Sequence, residues 1–450
     1  MKLNAKTAIK QVGHIIDLWM PLKLEYDRAA GVSIAIAHKG KILYAKGFGY
    51  ADMKRREKAD AKTLYHIASH SKMFTATAVL KLAEQGKLRL NDKVSSYIPW
   101  FKGKNKDKDA SKITIRQLLS HKAGIFRDGD TPHWNDGKFP KDLKRPFSLK
   151  ALIIKNSTKF KYTNYGYSLL GLVIEKASDM SYGDYVTENI LKPLSLKNTH
   201  PDYMDGLKHI ATGYGADLPG AGIRAFGHYK TNAYAPATGF VSNSIDITKF
   251  MSMFLHERKS VLSKQSLDEM TKPHAKTGDG DEYGLGLDIF HIGKHKVIGH
   301  GGGFNGFYTR TVLNLHNGVS VEVFANSQSL NPTQLAVCIL KIVGALMDGD
   351  GKYAAGRKIS YGNYEGVYRN NWGDSLVVRA GNILVGLDPS ANNPFKQPRR
   401  LMPTGKPHAF IMKSDNLYGP YDEETVFSDF KNGKARKSTT AGMPMRRIEG

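Results

Sequence analysis

The sequence predicts an α+β fold: an antiparallel sheet flanked by helices, with an all-α insertion inside it, then a small antiparallel β-barrel. Three observations predict it. Strand-like runs lie at residues 31–49 and again at 285–325, so one sheet draws strands from two distant stretches. The stretch between, about 88–270, reads as helices and long loops. Beyond Met347 the rhythm changes to short strands separated by turns, the pattern of a small barrel.

Each element follows in order. Residues 5–24 read as a helix. Two strands come next, Gly31–Ala37 and Lys41–Gly49, turning at Lys39-Gly40. Phe74, Ala78 and Leu82 recur at helical spacing, and Gly86 stands where helices commonly stop. Strands return at Leu285–Ile289, Lys296–His300, Phe307–Leu315 and Gly318–Ala325, with Asn317-Gly318 as a tight-hairpin signal. A helix at about 332–348 ends the first domain, taken as residues 1–347. Asp348-Gly349-Asp350-Gly351 opens a linker, residues 348–360. The barrel domain, 361–450, begins near Tyr364-Glu365-Gly366-Val367-Tyr368. Its expected strands are Ser375–Arg379, Ile383–Leu387, Ala409–Lys413, Thr425–Phe430 and Lys434–Lys437, with a hairpin at Asn432-Gly433.

Composition bounds the function. No run of eighteen apolar residues exists, so no membrane span is expected. Lys2, Lys6, Lys10 and Asp17 interrupt any secretory core near the N-terminus. The expected location is the cytoplasm, the alternative an exported chain whose signal peptide is absent here. Cys338 is the only cysteine, which excludes an intrachain disulfide. The formal charge of +25 is scattered apart from a lysine-rich loop at 102–112, and no nucleic-acid motif accompanies it. A basic surface is expected, without a nucleic-acid partner. His291 and His295 flank a turn rather than sharing a helix face, so no metal is expected. Gly301–Gly303 lacks the spacing of a phosphate loop, and no cofactor is expected.

Three groups of residues carry chemistry. Ser69 stands at the start of a helix pattern, at a position where hydroxyls cap free N–H groups, with Lys72 three residues on and on the same face. A neighbouring amine held neutral can take a serine proton. Tyr162 and Asn164 are two apart, so an extended segment would aim both at one site. There a lysine ammonium would push the phenol toward phenolate, a general base. His300-Gly301-Gly302-Gly303 follows the apolar Val297-Ile298, and its bare backbone can offer an N–H to an oxyanion.

In this order the three groups resemble the serine β-lactamase and penicillin-binding-protein superfamily, nearest its class C β-lactamase-like hydrolases, D-aminopeptidases and esterases. Further blocks extend the likeness over about residues 10–345. They include Ile113-Thr114-Ile115-Arg116-Gln117-Leu118-Leu119-Ser120-His121, Pro236-Ala237-Thr238-Gly239-Phe240 and Tyr283-Gly284-Leu285-Gly286. The C-terminal stretch is similar to the lipocalin-like domains that accompany some of these hydrolases. The resemblance implies the β-lactamase-like sheet-and-helix fold, with Ser69 as nucleophile and Lys72 and Tyr162 sharing acid–base work. Asn164, His300 and Gly302 would bind substrate, and the Ser69 and Gly303 N–H groups would form the oxyanion hole. His70 departs from the small residue usual after the nucleophile, and the sequence assigns it no role.

The expected function is acyl transfer through Ser69 on small esters or amide bonds, including those of D-amino acids, with weak or no β-lactam hydrolysis. The alternatives are a true class C-like β-lactamase and a non-catalytic penicillin-binding-like protein. The expected partner is a small ester, peptide or β-lactam, and a structural or assembly role, with the barrel mediating homo-oligomers, is compatible with the hydrolase reading.

Overall fold

A computed structural model of the chain describes residues 2–129, 131–144, 147–255, 257–278, 280–353, 360–415 and 419–448. The chain divides into two units, Ala30–Thr333 and a second that joins Met1–Ala29 to Gln334–Gly450. Of the linker expected at 348–360, residues 354–359 lie outside the described residues.

The unit Ala30–Thr333 is built on a nine-stranded antiparallel sheet. Its strands are β1 (Gly31–His38), β2 (Lys41–Asp52), β3 (Glu57–Lys58), β4 (Ala275–Lys276), β5 (Glu282–Tyr283), β6 (Asp288–Ile292), β7 (His295–Phe304), β8 (Phe307–Asn314) and β9 (Val319–Ala325). The order is β4-β5-β6-β7-β8-β9-β1-β2-β3, so the chain leaves the sheet after β3 and returns at its far edge. At the junction β1 pairs with β9, Val32 opposite Ala325 and His38 opposite Val319. All of β9 and the first seven residues of β1 are buried, which is why both read as nearly continuous apolar runs.

The strand expected at Leu285–Ile289 is displaced to Asp288–Ile292. Residues 284–287 form a turn instead, in which the Gly284 N–H donates to Leu287 O. Gly286 holds φ at +78°, and a Cβ there would stand 2.8 Å from the Lys72 carbonyl. Only glycine permits both that backbone and that approach.

The excursion between β3 and β4 supplies the helices. The helix Ser71–Glu84 is buried on nearly all sides. A capping box of Thr114 and Gln117 starts Ile115–Leu119, and Thr163 caps Asn164–Ser178 through the Gly166 N–H. The helix Ser244–Ser252 packs on β1 and β9, where the Thr248 hydroxyl meets the buried Glu322 carboxyl at 2.8 Å.

In the second unit the helix Ala5–Tyr26 lies against an eight-stranded closed barrel. Its strands are β10 (Gly366–Asn370), β11 (Gly373–Ala380), β12 (Ile383–Leu387), β13 (Arg399–Pro403), β14 (Ala409–Lys413), β15 (Glu424–Lys431), β16 (Lys434–Thr440) and β17 (Met443–Ile448). The five expected strands are present. The three added ones are β10, β13 and β17. In β13 and β17 arginines and a proline mask the alternation. The Trp19 indole N–H donates to Pro389 O at 3.0 Å, and the buried Lys23 ammonium donates to Ser390 O and Asp27, both at 2.7 Å. A helix Pro332–Asp348 precedes the barrel.

Candidate active site

Ser69 lies in a single 3-10 turn, Ala68–His70, that runs into the helix Ser71–Glu84. No side chain caps either element, so the expected capping role of Ser69 is not used and its hydroxyl is free for other partners. Ala68 holds φ at +47°, a left-handed conformation that costs an alanine about 1–2 kcal/mol. The surroundings hold it there. Ser71 Oγ donates to Ala68 O at 2.6 Å and accepts from the Phe240 N–H at 3.0 Å, and the Ile67 N–H donates to Phe240 O. The block Pro236–Ser242 thus braces the turn.

Lys72 is fully buried one turn beyond the serine. Its Nζ lies 3.1 Å from Ser69 Oγ, 2.7 Å from Asn164 Oδ1 and 2.8 Å from Ala237 O. Burial drives its pKa well below the ordinary lysine value, the Asp128 carboxylate opposes this, and the Arg127 guanidinium adds to it. A neutral amine satisfies the same geometry. Two N–H groups go to Asn164 and Ala237, and the lone pair faces the Ser69 hydroxyl.

The Tyr162 hydroxyl donates to Ser69 Oγ at 2.8 Å. Burial pushes its pKa above the ordinary tyrosine value, with the Ser69 hydrogen bond opposing. Tyr162 therefore rests as a phenol, which corrects the expected push toward phenolate: the lysine, not the tyrosine, is the group shifted toward its basic form. Asn164 also departs from the expected geometry. Thr163 is extended, but Asn164 is already the first residue of a helix. The two side chains converge because the chain bends between them. Asn164 Nδ2 donates to Asp128 Oδ1 at 2.6 Å, which fixes the amide with its oxygen toward Lys72.

β7 carries the third group alongside the serine turn. A Cβ on Gly302 would stand 2.3 Å from both Ile67 O and Thr309 Oγ1, so a bare backbone is required there. The same fit gives His70 a role. It is fully buried, its Nδ1 lies 3.0 Å from Ile67 O, and its Nε2 lies 3.0 Å from Thr311 Oγ1 on β8. With Nδ1–H donating to the carbonyl, Nε2 accepts from Thr311, and the ring ties the serine turn to the sheet. Gly303 follows on β7 opposite Tyr308.

His300 is buried, with its Nε2 3.0 Å from the Tyr283 hydroxyl and its Nδ1 2.6 Å from Gly301 O. Burial pushes its pKa down to about 4 against the pull of Asp288, so the imidazole is neutral at pH 7.

Further residues shape the site. Asp128 orients Asn164, and the Arg127 guanidinium lies 5.3 Å from the Tyr162 ring centroid. The buried His121 ring lies 4.2 Å from the Tyr162 ring and 4.8 Å from that of Tyr283, and its Nδ1 accepts from the Thr163 N–H. His121 and Tyr283 stand in sequence blocks that carried the resemblance. Asp288 pairs with Arg310 behind His300. Among the described residues no group of His, Cys, Asp and Glu could hold a metal ion, and no helix is long and apolar enough to cross a membrane.

Ser69 Oγ thus stands between the Lys72 amine and the Tyr162 hydroxyl, beside a glycine-bearing strand, and the family follows from comparison. The chain belongs to the beta-lactamase family, whose profile matches residues 22–336. Protein flp of Staphylococcus aureus strain MW2 is 31% identical over 323 residues, which are 70% of this chain and 63% of that protein. The chain therefore spans less than two thirds of that curated relative's length. The octameric penicillin-binding protein homologue from Pyrococcus abyssi superposes with a TM-score of 0.66 at 24% identity, covering 97% of this chain and 99% of that one. The D-amino acid amidase from Ochrobactrum anthropi SV3 gives 0.60 at 23% identity, covering 71% and 92%. These two structures share the fold.

Proposed function

We propose that the protein is a serine hydrolase that works through an acyl-Ser69 intermediate. One observation carries this reading: Ser69 Oγ stands 3.1 Å from the Lys72 amine and 2.8 Å from the Tyr162 hydroxyl. Neutral Lys72 takes the Ser69 proton as Oγ attacks the substrate carbonyl carbon. The carbonyl π pair moves onto oxygen, where the Ser69 and Gly303 N–H groups receive it. Tyr162 gives its proton to the departing oxygen or nitrogen as that bond breaks, and the Lys72 ammonium restores the phenol. Water then repeats the cycle on the acyl-enzyme and frees Ser69.

The substrate class follows from His300. A neutral imidazole holds a substrate carboxylate less strongly than a lysine ammonium would. Small esters or amides, including amides of D-amino acids, therefore suit the site better than β-lactams. The test is a fluorophosphonate probe followed by mass spectrometry. Label on the Ser69 peptide is expected, and a folded chain that labels elsewhere, or not at all, overturns the proposal.

A further inference from the structure

The barrel is filled at one end and open at the other. The Tyr364, Phe410 and Phe427 rings pack at the filled end with centroids 4.9–5.6 Å apart. Beside them lies a cavity of about 440 Å³, within the range that encloses a small organic ligand. Val377, Leu401, Met412, Phe427 and Met445 make its wall apolar. Trp372, in the turn between β10 and β11, lines the cavity yet is 89% exposed, so the cavity opens at that end.

Arg399 stands on the inner wall. Residues two apart on a strand share a face, so Arg399 points inward with Leu401. Its Nη2 donates to Ser375 Oγ at 2.9 Å. Ser375 belongs to β11, two strands away, and the strand between presents Gly386 opposite Arg399. A Cβ at residue 386 would stand 3.4 Å from both Arg399 Nε and Ser375 Oγ. Glycine keeps open the lane along which the arginine reaches.

Among the described residues no carboxylate pairs with Arg399. Asp374, at the mouth, is taken by the Arg369 guanidinium at 2.6 Å and the Tyr26 hydroxyl at 3.0 Å. Asp388 attracts Arg399 without reaching ion-pair distance. A guanidinium stays charged at neutral pH, so burial cannot be relieved by losing the proton. A fixed cation on the wall of an apolar cavity is matched by an anion with an apolar body.

We propose that the barrel cavity binds a small amphiphilic monocarboxylate, its carboxylate on Arg399 and its hydrocarbon among Leu401, Met412, Phe427 and Met445. Titration calorimetry of the full chain with decanoate and with 1-decanol tests this. Decanoate is expected to bind saturably, and 1-decanol at least tenfold more weakly. Arg399→Gln should bring decanoate down to the level of the alcohol and leave ester turnover unchanged, and Met445→Trp, which fills the cavity, should weaken both probes. Absence of saturable decanoate binding, or equal binding of the two probes, overturns the proposal on the unaltered chain, whatever the variants do. Undiminished decanoate binding to folded Arg399→Gln and Met445→Trp chains places the ligand elsewhere and overturns it too.

Discussion

Lys72, fully buried, and Arg399, partly buried on the barrel wall, are two basic side chains, one in each unit, that meet opposite fates. Lys72 is surrounded by three oxygens, and its pKa falls well below the lysine value. Among the described residues Arg399 meets one serine hydroxyl, and its pKa is also lowered by burial, but from a start so high that the charge stays. The contrast teaches how side-chain identity decides function in similar surroundings. An amine relieves burial by releasing a proton and becomes a base. A guanidinium relieves it only by acquiring an anion.

The comparison breaks most severely at the catalytic end. Ser69→Ala should lower hydrolysis of a short-chain nitrophenyl ester by about 10⁴-fold or more, with an unchanged circular dichroism spectrum. Lys72→Arg puts a permanent cation in place of the amine, and a fall of about 10²–10⁴-fold in kcat is expected. In the unaltered chain kcat should rise with pH and level off well below the ordinary lysine pKa of about 10.4. A Lys72→Arg chain that keeps normal turnover would remove the lysine from the proton path. Tyr162→Phe should cost about 10²-fold or more in kcat, with little change in KM.

Smaller effects sharpen the contrast. His300→Lys places a cation where the chain has a neutral ring. The ratio of kcat/KM for nitrocefin to that for the ester should rise by about 10–100-fold, the size of one charge-assisted hydrogen bond. Nitrocefin turnover that exceeds ester turnover before the substitution would instead favour a true β-lactamase. Glu322 supplies the acidic counterpart. Burial pushes its carboxyl up to about 8 from an ordinary 4.5. The folded chain then holds a proton that the unfolded chain has lost between those pH values, so stability falls as pH rises through that window. Glu322→Gln should remove this slope, and its Tm advantage over the unaltered chain should widen from pH 5 to pH 8.

Much of the site was legible because its strongest pair is local. Ser69 and Lys72 are three residues apart on one turn, so spacing alone places them together. Tyr162 and His300 were legible as members of ordered blocks. Asn164 was found by an argument about extended chain that the helix start at that residue replaces. His70, Arg127, Asp128 and Asp288 escaped because they act across loops and strands that no periodicity joins. The central strands β1 and β9 were legible as apolar runs, whereas β13, with Arg399-Arg400 at its head, hid its inward positions. The arginine that obscured the strand is the one that faces the cavity.

The division of the chain has a consequence for synthesis. Residues 30–333 are contiguous and can close their sheet as soon as β9 has left the ribosome. The helix Ala5–Tyr26 is made before residues 30–333 but packs on a barrel made after them. At roughly 5–20 residues per second, the apolar stripe that includes Ile16, Trp19 and Met20 waits tens of seconds for Pro389 and Ser390 to arrive. A segment made ahead of residues 30–333 thus finds its place only after them, and it is a stretch that a chaperone would hold.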